Sequence, residues 1–535
     1  MSFESIYAKD PSKLNQVELI KLEKDGLDVI ETIISKYSKE GYNSITEDDM
    51  NRFKWAGVYE QRPRNGYFML RVRINSGILN SEQARTLADI AQDYGRGIAN
   101  ITTRGAIQFH WLTVEQLPDI FDRLKACGLS SFEACGDCPR TIIGNPLAGI
   151  DKYELMDTTE IIEQVNTFFL LNRDFSNLPR KFKISISSNI HNAAHAQIND
   201  LAFTPAVKNI NGEEVVGFHV WVGGGLSSSP HLSKKLNIFV KPEDVQKVAA
   251  GVCTIFRDYG YREKRQRARL KFLVADWGID KFQEKLLEII GDIPNSGDDK
   301  LVSWNSAYYF GVHPQKQEGK SYIGMNVPLG ELTSNELFEL AEISDKYGDG
   351  KLRTTLSQNI ILSGVDDENV QTLLKETIFK HLSPNPNSFI GHTISCTGKE
   401  FCNLAIVETK SSARKIIEYL DNNIKLDNPI RIHFTGCPNS CGQKQIADIS
   451  LQGALIKTDT GNVEGFSLSI GGTLDPNAKF AEDLRCRIKS EDVHLVLEKL
   501  ILFYKENLTP NETFNQFVNR VGTSVIIEKV IKKLN

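Results

Sequence analysis

The feature of this 535-residue sequence that most restricts its fold is an internal duplication. A segment in the first half returns in the second half with every match displaced by 248 positions, so no net insertion separates the copies. The period is far longer than that of a solenoid repeat, and we expect two facing halves related by a pseudo-twofold axis. The matches are Gln197-Ile198-Asn199-Asp200 with Gln445-Ile446-Ala447-Asp448, Gly217-Phe218 with Gly465-Phe466, Gly223-Gly224 with Gly471-Gly472, and Glu243-Asp244-Val245 with Glu491-Asp492-Val493.

A second, different repeat precedes each copy of the first. The residue pattern of each copy predicts a strand, followed by a turn, an amphipathic helix that ends at a glycine, and a second strand. The order along the chain is therefore A-B-A′-B′, two halves that were duplicated and then diverged. The matches are Gly77-Ile78-Leu79-Asn80-Ser81-Glu82 with Gly330-Glu331-Leu332-Thr333-Ser334-Asn335, Leu87-Ala88-Asp89-Ile90 with Leu340-Ala341-Glu342-Ile343, and Thr102-Thr103 with Thr354-Thr355.

This order predicts an α/β fold with mixed sheets and a ligand site at the junction of the halves, since ligand sites favour domain interfaces. The length alone leaves room for three or four domains. The first residues lie outside the repeats and are periodic in the manner of helices. The predicted boundaries are a helical extension at 1–50, repeat A at 51–141, repeat B at 142–305, repeat A′ at 306–386 and repeat B′ at 387–535.

Composition excludes several classes of function. The net charge of −5 gives no global field that favours nucleic acid or an anionic membrane. The start of the chain lacks a basic and then apolar leader, and no apolar run is long enough to span a bilayer. The nine cysteines are an odd number, which favours a reducing, cytoplasmic compartment and thiols that hold metal rather than disulfides.

Four of these cysteines form two short pairs, Cys396-x5-Cys402 and Cys437-x3-Cys441. Paired thiolates suit an iron–sulfur centre or zinc, although five intervening residues are more than structural zinc pairs favour. At the constant displacement, Cys437 and Cys441 correspond to Asn189 and Ala193 in repeat B. One copy therefore became a metal holder and the other did not, unless all four thiols are buried and inert.

The segments Cys396-Thr-Gly-Lys-Glu-Phe-Cys402-Asn-Leu-Ala405 and Thr435-Gly436-Cys437-Pro438-Asn439-Ser440-Cys441 resemble the sirohaem nitrite and sulfite reductases. The A-B-A′-B′ order is also that of this family, in which A and A′ are ferredoxin-like half-domains. The resemblance implies that Cys396, Cys402, Cys437 and Cys441 hold a [4Fe–4S] cluster. It further implies that Cys441 is the axial ligand of the sirohaem iron.

Cationic side chains supply a candidate anion pocket. Lys181 and Lys183 lie at i and i+2 of a predicted strand and point to one face, and Arg71 and Arg73 share that spacing. Either pair alone is equally typical of an exposed strand face. The resemblance implies that Arg71, Arg140, Lys181 and Lys183 face the substrate. It implies that the sirohaem carboxylates are bound by Arg104, Gln108, Arg180, Arg269, Lys271 and Asn439.

One position bears on the substrate. Sulfite reductases of the family resemble Arg180-Lys181-x-Lys183, whereas plant-type nitrite reductases place asparagine at the second lysine. An additional cation favours the more highly charged sulfite. We therefore expect six-electron reduction of sulfite to sulfide. Cys396-Thr-Gly398 and Glu408-Thr409-Lys410 resemble nitrite reductases, so reduction of nitrite to ammonia stays the alternative. A non-catalytic iron–sulfur carrier or sensor and a zinc-binding scaffold are alternatives of other classes.

Electrons are expected from another protein. Gly223-Gly224-Gly225 lacks the full dinucleotide-binding pattern, so we expect ferredoxin, or else flavodoxin, to dock on a basic patch. The lysine-rich N-terminal segments and the cationic run from Arg262 to Lys271 are the candidates. Cys135-x-x-Cys138 could be a redox pair or two packed thiols. By resemblance to some family members, Tyr59 and Cys135 are candidates for a thioether crosslink.

Overall fold

The computed structural model describes residues 10–304, 308–459 and 461–532. Residues 1–9 lie outside the described residues; from residue 10 onward the predicted extension is mostly helical, and its last α-helix ends at Arg52. Its helices are α1 (Gln16–Glu23), α2 (Val29–Thr32), α3 (Ser38–Glu40) and α4 (Glu47–Arg52).

Helix α1 is fixed to repeat B by buried charges. Glu18 pairs with Arg262 at 2.6 Å, and the ammonium of Lys21 donates to the carbonyl oxygen of Leu178 at 2.8 Å. Arg262 is only 1% exposed. The prediction of a surface cationic run from Arg262 to Lys271 is therefore wrong at its first residue, because this guanidinium anchors the N-terminal extension.

Repeats A and A′ have the same succession of elements. Both long helices begin with a capping box, made by Asn80 and Gln83 in A and by Thr333 and Glu336 in A′. Repeat A contains β1 (Val58–Glu60), β2 (Phe68–Val72), β3 (Ile78–Asn80), α5 (Ser81–Asp93), β4 (Ile98–Ile101), β5 (Ile107–Leu112) and α6 (Leu117–Ala126).

Repeat B continues the chain with one long antiparallel hairpin packed against helices. It contains α7 (Thr159–Phe169), β6 (Ile184–Ile186), β7 (Leu201–Ile210), β8 (Glu213–Val222), β9 (Lys234–Val240), α8 (Val245–Tyr259), α9 (Leu270–Trp277), α10 (Ile279–Ile290) and β10 (Asp298–Asp299).

The second half repeats both patterns. Repeat A′ contains β11 (Gly311–Pro314), β12 (Lys320–Met325), β13 (Glu331–Thr333), α11 (Ser334–Tyr347), β14 (Lys351–Thr354), β15 (Ile360–Asp366) and α12 (Val370–Leu373). Repeat B′ contains α13 (Ser388–Gly391), β16 (Thr393–Ser395), α14 (Lys410–Asn423), β17 (Ile432–Thr435), β18 (Ile449–Thr458), β19 (Gly461–Ile470), β20 (Glu482–Lys489), α15 (Val493–Asn507), α16 (Phe514–Val521) and α17 (Thr523–Ile526).

The two half-domains A and A′ exchange one strand each. The sheet of A has the order β1-β2-β5-β4-β13 and takes β13 from A′, whereas the sheet of A′ has the order β11-β12-β15-β14-β3 and takes β3 from A. One hydrophobic core runs through both half-domains. This reciprocal exchange confirms the pseudo-twofold α/β fold. Because each sheet contains a strand of the other half-domain, A and A′ are joined more closely than two separate domains. The predicted domain boundaries stay a prediction.

Repeats B and B′ each build a sheet and a core of their own. The orders are β10-β7-β8-β9, with β6 also on β7, and β16-β17-β18-β19-β20. A small cluster at their contact contains Ile198 and Leu226 with their repeat partners Ile446 and Leu474, as expected beside a pseudo-twofold axis. None of the described helices is both long and apolar enough to cross a membrane.

One predicted match between A and A′ is shifted by a residue. The amide of Thr102 donates to the carbonyl oxygen of Ala106, and the amide of Thr355 donates to that of Asn359. Thr102 therefore corresponds to Thr355, not to Thr354. The displacement between A and A′ is 253 positions through this turn, as it is between Gly77 and Gly330.

Candidate active site

Basic side chains of repeats A and B, among them Arg104 and Arg140, lie close enough for their charges to act on one another, and we call the space between them the cation cavity. Lys181 and Lys183 border it from one face of the chain. The residue between them, Phe182, is fully buried in the core of B, so the two lysines necessarily turn the other way. The amide of Arg140 donates to the carbonyl oxygen of Phe182 at 2.8 Å, which brings Arg140 beside both lysines. The charge of Lys181 acts on Lys183, which fits the shared face that the spacing predicts; that this face meets the substrate stays a prediction.

Burial among like charges weakens the protonation of both lysines. Burial, with Arg269 as the next cause, lowers the pKa of Lys181 to about 7. Burial, together with the charges of Arg104 and Lys181, holds the pKa of Lys183 well below its ordinary value. Lys181 can therefore lose and regain a proton near neutral pH, which is the property required of a general acid.

Arg140 is held by the loop that carries Cys135 and Cys138. Its guanidinium donates to the carbonyl oxygen of Gly136 at 2.6 and 3.0 Å and to that of Ala134 at 3.0 Å. Each of these acceptors is a neutral carbonyl, so the full positive charge of Arg140 remains uncompensated by a carboxylate. The loop thus presents a rigid cation to the cavity.

Arg71 closes the cavity from the half-domain side. It lies opposite Gln108 in the β2–β5 pair, and its guanidinium donates to Gln108 Oε1 at 3.0 Å and contacts Cys135 Sγ at 3.4 Å. Arg73, which shares its sequence spacing, is different: it is buried and donates to Asn166 Oδ1 at 2.6 Å. The idea that both arginines face one site is therefore wrong for Arg73.

Arg104 extends from the turn after β4. It donates to Asn199 Oδ1 at 2.9 Å and to the carbonyl oxygen of Thr141 at 2.9 Å, and burial lowers its pKa to about 9. Arg180 lies on the same wall, where burial and the charge of Arg265 lower its pKa to about 10. Burial removes water from both guanidinium groups, and neither has a carboxylate partner of its own in the described residues.

The cavity wall therefore carries cations that the described protein does not neutralise. Within the described ranges, six basic side chains on this wall have no carboxylate within 4.0 Å of their charged atoms. Buried charges are normally paired, so their arrangement fits a polyanionic ligand. The six are Arg71, Arg104, Arg140, Arg180, Lys181 and Lys183.

Three further predicted contacts are placed less directly. Arg269 is paired with Asp200 at 2.8 Å, and Lys271 donates to the carbonyl oxygen of Leu226 at 2.9 Å. Both have protein partners, so their contact with a prosthetic group stays a prediction. Asn439 is exposed on the turn between Cys437 and Cys441. Its role as a carboxylate binder also stays a prediction.

The two cysteine pairs lie at the same ends of neighbouring parallel strands. Cys396 follows β16 and Cys437 follows β17, and the amide of Gly436 donates to Cys396 Sγ at 3.1 Å. Burial, followed by the charge of the nearby Cys441, raises the pKa of Cys396 to about 11. In the part of the chain described, no three metal-binding side chains converge as a single ion would require. The five residues between Cys396 and Cys402 suit a cluster better than one zinc ion.

Cys441 lies at the edge of the cation cavity. Its thiol is on an exposed residue, and its carbonyl oxygen accepts from Thr103 Oγ1 at 3.1 Å. Thr103 is the neighbour of Arg104, so this one contact joins the cysteine turns to the cationic wall. A group bound between them would touch both.

The symmetry-related positions in repeat B show what replaced the cysteines. Ile143 pairs with Ser185 as Ile394 pairs with His433, so Asn145 and Asp151 occupy the places of Cys396 and Cys402. Asn145 and Asn189 both donate to Asp151 Oδ2, at 2.6 and 2.5 Å. Three thiol positions have thus become one buried hydrogen-bonded cluster.

Unpaired cations are missing from the following symmetry-related positions as well: Lys183 corresponds to Arg431, which is paired with Asp448 at 2.6 Å. Strand register equates Arg71 with Gly324, and the constant displacement equates Lys181 with Pro429. A side chain on Gly324 would collide with the carbonyl oxygen of Tyr309, so the chain itself fills this space. The described structure therefore has one site of this kind, in which A and B supply the cations and B′ supplies the thiols.

Two site residues escaped the sequence reasoning. Lys54 lies on the cavity wall beside Arg180, and burial lowers its pKa to about 8. His110 stacks on Phe401 of the cysteine loop with ring centroids 4.0 Å apart. Gln108 Nε2 lies 3.0 Å from His110 Nε2, so this histidine connects the cation cavity to the cysteine loop. No spacing pattern marks either residue; only their proximity to Tyr59 and Gln108 in the sequence could have suggested them.

Fold and site together define a duplicated oxidoreductase in which thiols and cations meet at one cavity. The chain belongs to the nitrite and sulfite reductase family. It matches the nitrite and sulphite reductase 4Fe–4S domain at 135–292 and 388–535, and the nitrite/sulfite reductase ferredoxin-like half domain at 59–127 and 313–378.

Named relatives cover almost the whole chain. The sequence is 40% identical to a ferredoxin–nitrite reductase of Synechococcus elongatus over 92% of this chain and 96% of that protein. It is 35% identical to a ferredoxin sulfite reductase of Mycolicibacterium paratuberculosis over 96% of both chains. The structure of the Mycobacterium tuberculosis NirA protein has a TM-score of 0.90 at 34% identity and covers 96% of this chain and 97% of its own. Relatives with both substrate names are present.

Proposed function

We propose that this protein reduces sulfite to sulfide with six electrons, using sirohaem bound beside a [4Fe–4S] cluster. The observation that supports the proposal is a set of basic side chains without a carboxylate partner, Lys181 and Lys183 among them, beside Cys441, whose charge acts on Lys181. The reaction takes up six electrons and seven protons for each sulfite dianion and yields hydrosulfide and three waters. A site for it needs fixed positive charge and a source of protons.

The residues fit both prosthetic groups. Sirohaem carries eight carboxylates, and the unpaired arginines and lysines of the cavity wall are their natural partners. Cys396, Cys402, Cys437 and Cys441 would hold the cluster, with Cys441 shared by the sirohaem iron. When bound, the coupled groups supply single electrons to a ligand on the iron.

The protein's own side chains do the remaining work. Arg71 and Arg140 bind the oxyanion and orient it, since they carry charge that the protein does not neutralise. Lys183, whose pKa is held well below its ordinary value by burial and by the charges of Arg104 and Lys181, takes up a proton as the dianion binds beside it. Lys181 donates protons as oxide leaves, because burial sets its pKa at about 7. This division supports catalysis over a non-catalytic electron carrier, which has no use for a convergent anion pocket.

Nitrite reduction is the second candidate, favoured by the names of relatives such as the Synechococcus and Leptolyngbya laminosa ferredoxin–nitrite reductases. The test is steady-state kinetics of one anaerobic preparation with sulfite and with nitrite, driven by the same reduced donor. We expect a higher kcat/KM for sulfite. Negligible sulfite turnover would contradict the substrate assignment while leaving the reductase class intact.

Lys183→Asn should move the ratio of the two kcat/KM values at least tenfold toward nitrite. Lys208→Asn is the matched control, because Lys208 lies at the far end of β7 and contacts Asn295 at the surface. The control should leave the ratio unchanged. An unchanged ratio in Lys183→Asn would show that this lysine does not discriminate between the anions.

The donor is proposed to be ferredoxin, with flavodoxin second, and it would deliver electrons at the loop that carries Cys402. Leu404 is 66% exposed beside this cysteine, whereas much of the Arg262–Lys271 run is occupied by internal ion pairs and carbonyl contacts. Leu404→Glu should raise the KM for an acidic ferredoxin several-fold and leave turnover with dithionite and methyl viologen unchanged. Loss of both activities would contradict a docking role. A reducing, cytoplasmic compartment suits both donor and cluster.

A thioether between Tyr59 and Cys135 is proposed as a further feature. Tyr59 and Cys135 are hydrogen-bonded neighbours, and burial, followed by the charge of Cys135, raises the pKa of Tyr59 to about 12. Formation of the bond removes one hydrogen from each residue and needs a two-electron oxidant such as dioxygen. Intact mass after denaturation and reduction should be two hydrogens below the sequence value, and an unshifted mass would exclude the bond.

A further inference from the structure

Lys410 is a largely buried cation beside the cysteine loops that the proposed reaction does not use. It is the first residue of α14, and its side chain is 12% exposed. The preceding residue, Thr409, donates from its hydroxyl to the carbonyl oxygen of Cys396 at 2.7 Å. Lys410 is therefore fixed to the same turn that presents the first thiol.

The side chain is clamped by both half-domains. Its ammonium donates to Asn100 Oδ1 and lies 3.4 Å from Glu331 Oε1. Asn100 and Glu331 face each other in the β4–β13 pair, where A and A′ exchange strands. A lysine at a helix start would ordinarily extend into water, so this clamp costs side-chain entropy that a solvated lysine would keep.

The charge of Lys410 reaches the thiol ligands. The groups that act on it are Glu331, Arg414 and Cys396; burial is the main cause that lowers its pKa, and Glu331 and Cys396 oppose that effect. Glu400 also lies within its field. The charge of Lys410 further helps to lower the pKa of His110 to about 3, after the larger effect of burial.

We propose that Lys410 sets the reduction potential of the cluster held at Cys396, an inference that rests on the proposed function. Transfer of one electron from the donor adds one negative charge to the centre that the four thiolates hold. A fixed cation in a poorly screened environment stabilises that more negative state and so raises the potential. The ammonium of Lys410 contacts Asn100 and Glu331, and its charge would act on the cluster through space.

The test is a redox titration of the anaerobic holoenzyme, in which the reduced cluster is followed by electron paramagnetic resonance. Lys410→Gln should shift the one-electron equilibrium at least tenfold toward the oxidised form, which corresponds to a potential lower by about 59 mV. Glu331→Gln should shift it in the opposite direction, because it removes the anion that opposes Lys410.

Arg414→Gln is the matched control. Arg414 lies one turn further along α14, contacts Glu331 at 2.6 Å and is 51% exposed, so its charge is screened by water. The control should move the equilibrium less than about twofold, and Lys410→Arg should retain the wild-type potential. Glu331→Gln tests the inference even if Lys410→Gln fails to fold.

Two negative results have different meanings. Wild-type protein with no iron and no cluster signal would refute the proposed function, and this inference with it. The inference alone would be refuted if the cluster signal is normal and the reduction potential does not change in Lys410→Gln. It would also be refuted if the reduction potential falls in Glu331→Gln.

Discussion

The buried pair of Asp200 and Arg269 allows a sharp test of how the cation pocket is supported. Asp200 is fully buried, and its carboxylate accepts hydrogen bonds from Arg269 Nη2 at 2.8 and 2.9 Å and from Arg269 Nε at 3.2 Å. Its carboxylate also accepts the backbone amide of Lys183 at 2.9 Å. Asp200→Asn keeps the shape but leaves the guanidinium uncompensated among other cations. Loss of one partner of a buried pair costs about 3–5 kcal/mol.

The assay is thermal unfolding of the purified holoenzyme together with steady-state kinetics. A loss of that size in a unit as large as repeat B lowers its transition by roughly 6–20 °C. Asp200→Asn should also raise the KM for sulfite, because the Asp200 carboxylate accepts the backbone amide of Lys183 and so holds this residue in place. The double variant Asp200→Asn/Arg269→Gln should recover at least half of the lost stability, since it removes the unpaired charge.

The chain contains its own control for this experiment. Asp448 pairs with Arg431 at 2.6 Å and accepts the backbone amide of Arg431 at 2.9 Å, the symmetry-related arrangement in repeat B′. Asp448→Asn should destabilise the protein by a similar amount without changing the KM for sulfite. A cost below about 1 kcal/mol for Asp200→Asn would refute the reasoning from burial. An equal rise of KM in both variants would refute the role assigned to Asp200.

Three further predictions use other parts of the structure. Cys441→Ser should lower both iron and tetrapyrrole content, measured by metal analysis and absorption, and abolish turnover; unaltered centres would contradict a shared ligand. Because the pKa of Lys181 is lowered to about 7, its proton is present below that pH and lost above it, so kcat should fall as pH rises; Lys181→Arg should flatten this limb, and an identical profile would exclude Lys181. Gly324→Ala should lower the thermal transition, since the new methyl group meets the carbonyl oxygen of Tyr309; an unchanged transition would show that the Tyr309 segment yields freely.

Much of the architecture could be predicted because duplication leaves a record in the sequence. The displacement of 248 positions relates β7, β8 and β9 to β18, β19 and β20, and the strand bounds follow it closely. The paired cysteines were equally visible, because only a few residues separate the two members of each pair. The alternation of Lys181, Phe182 and Lys183 also predicted a shared face, because strand geometry is local.

Contacts between distant segments could not be predicted in this way. The exchange of β3 and β13 satisfies the edges of two sheets, and no local pattern records which edge a short strand will join. Arginine is typical of the protein surface or of a binding site, yet Arg73 and Arg262 are buried and stabilise the fold. Their roles depend on partners, Asn166 and Glu18, that lie far away in the sequence.

The sequence by itself therefore determined the duplicated order, the α/β class and the four thiols, because each is written in spacing and repetition. Only the tertiary structure decided which cations stay unpaired and which become structural. It also decided that, at the symmetry-related positions, Asp151 joins a buried hydrogen-bonded cluster and the Tyr309 segment packs against Gly324. The physical reason is that charge pairing and steric exclusion depend on distances across the fold, and spacing along the chain does not encode those distances.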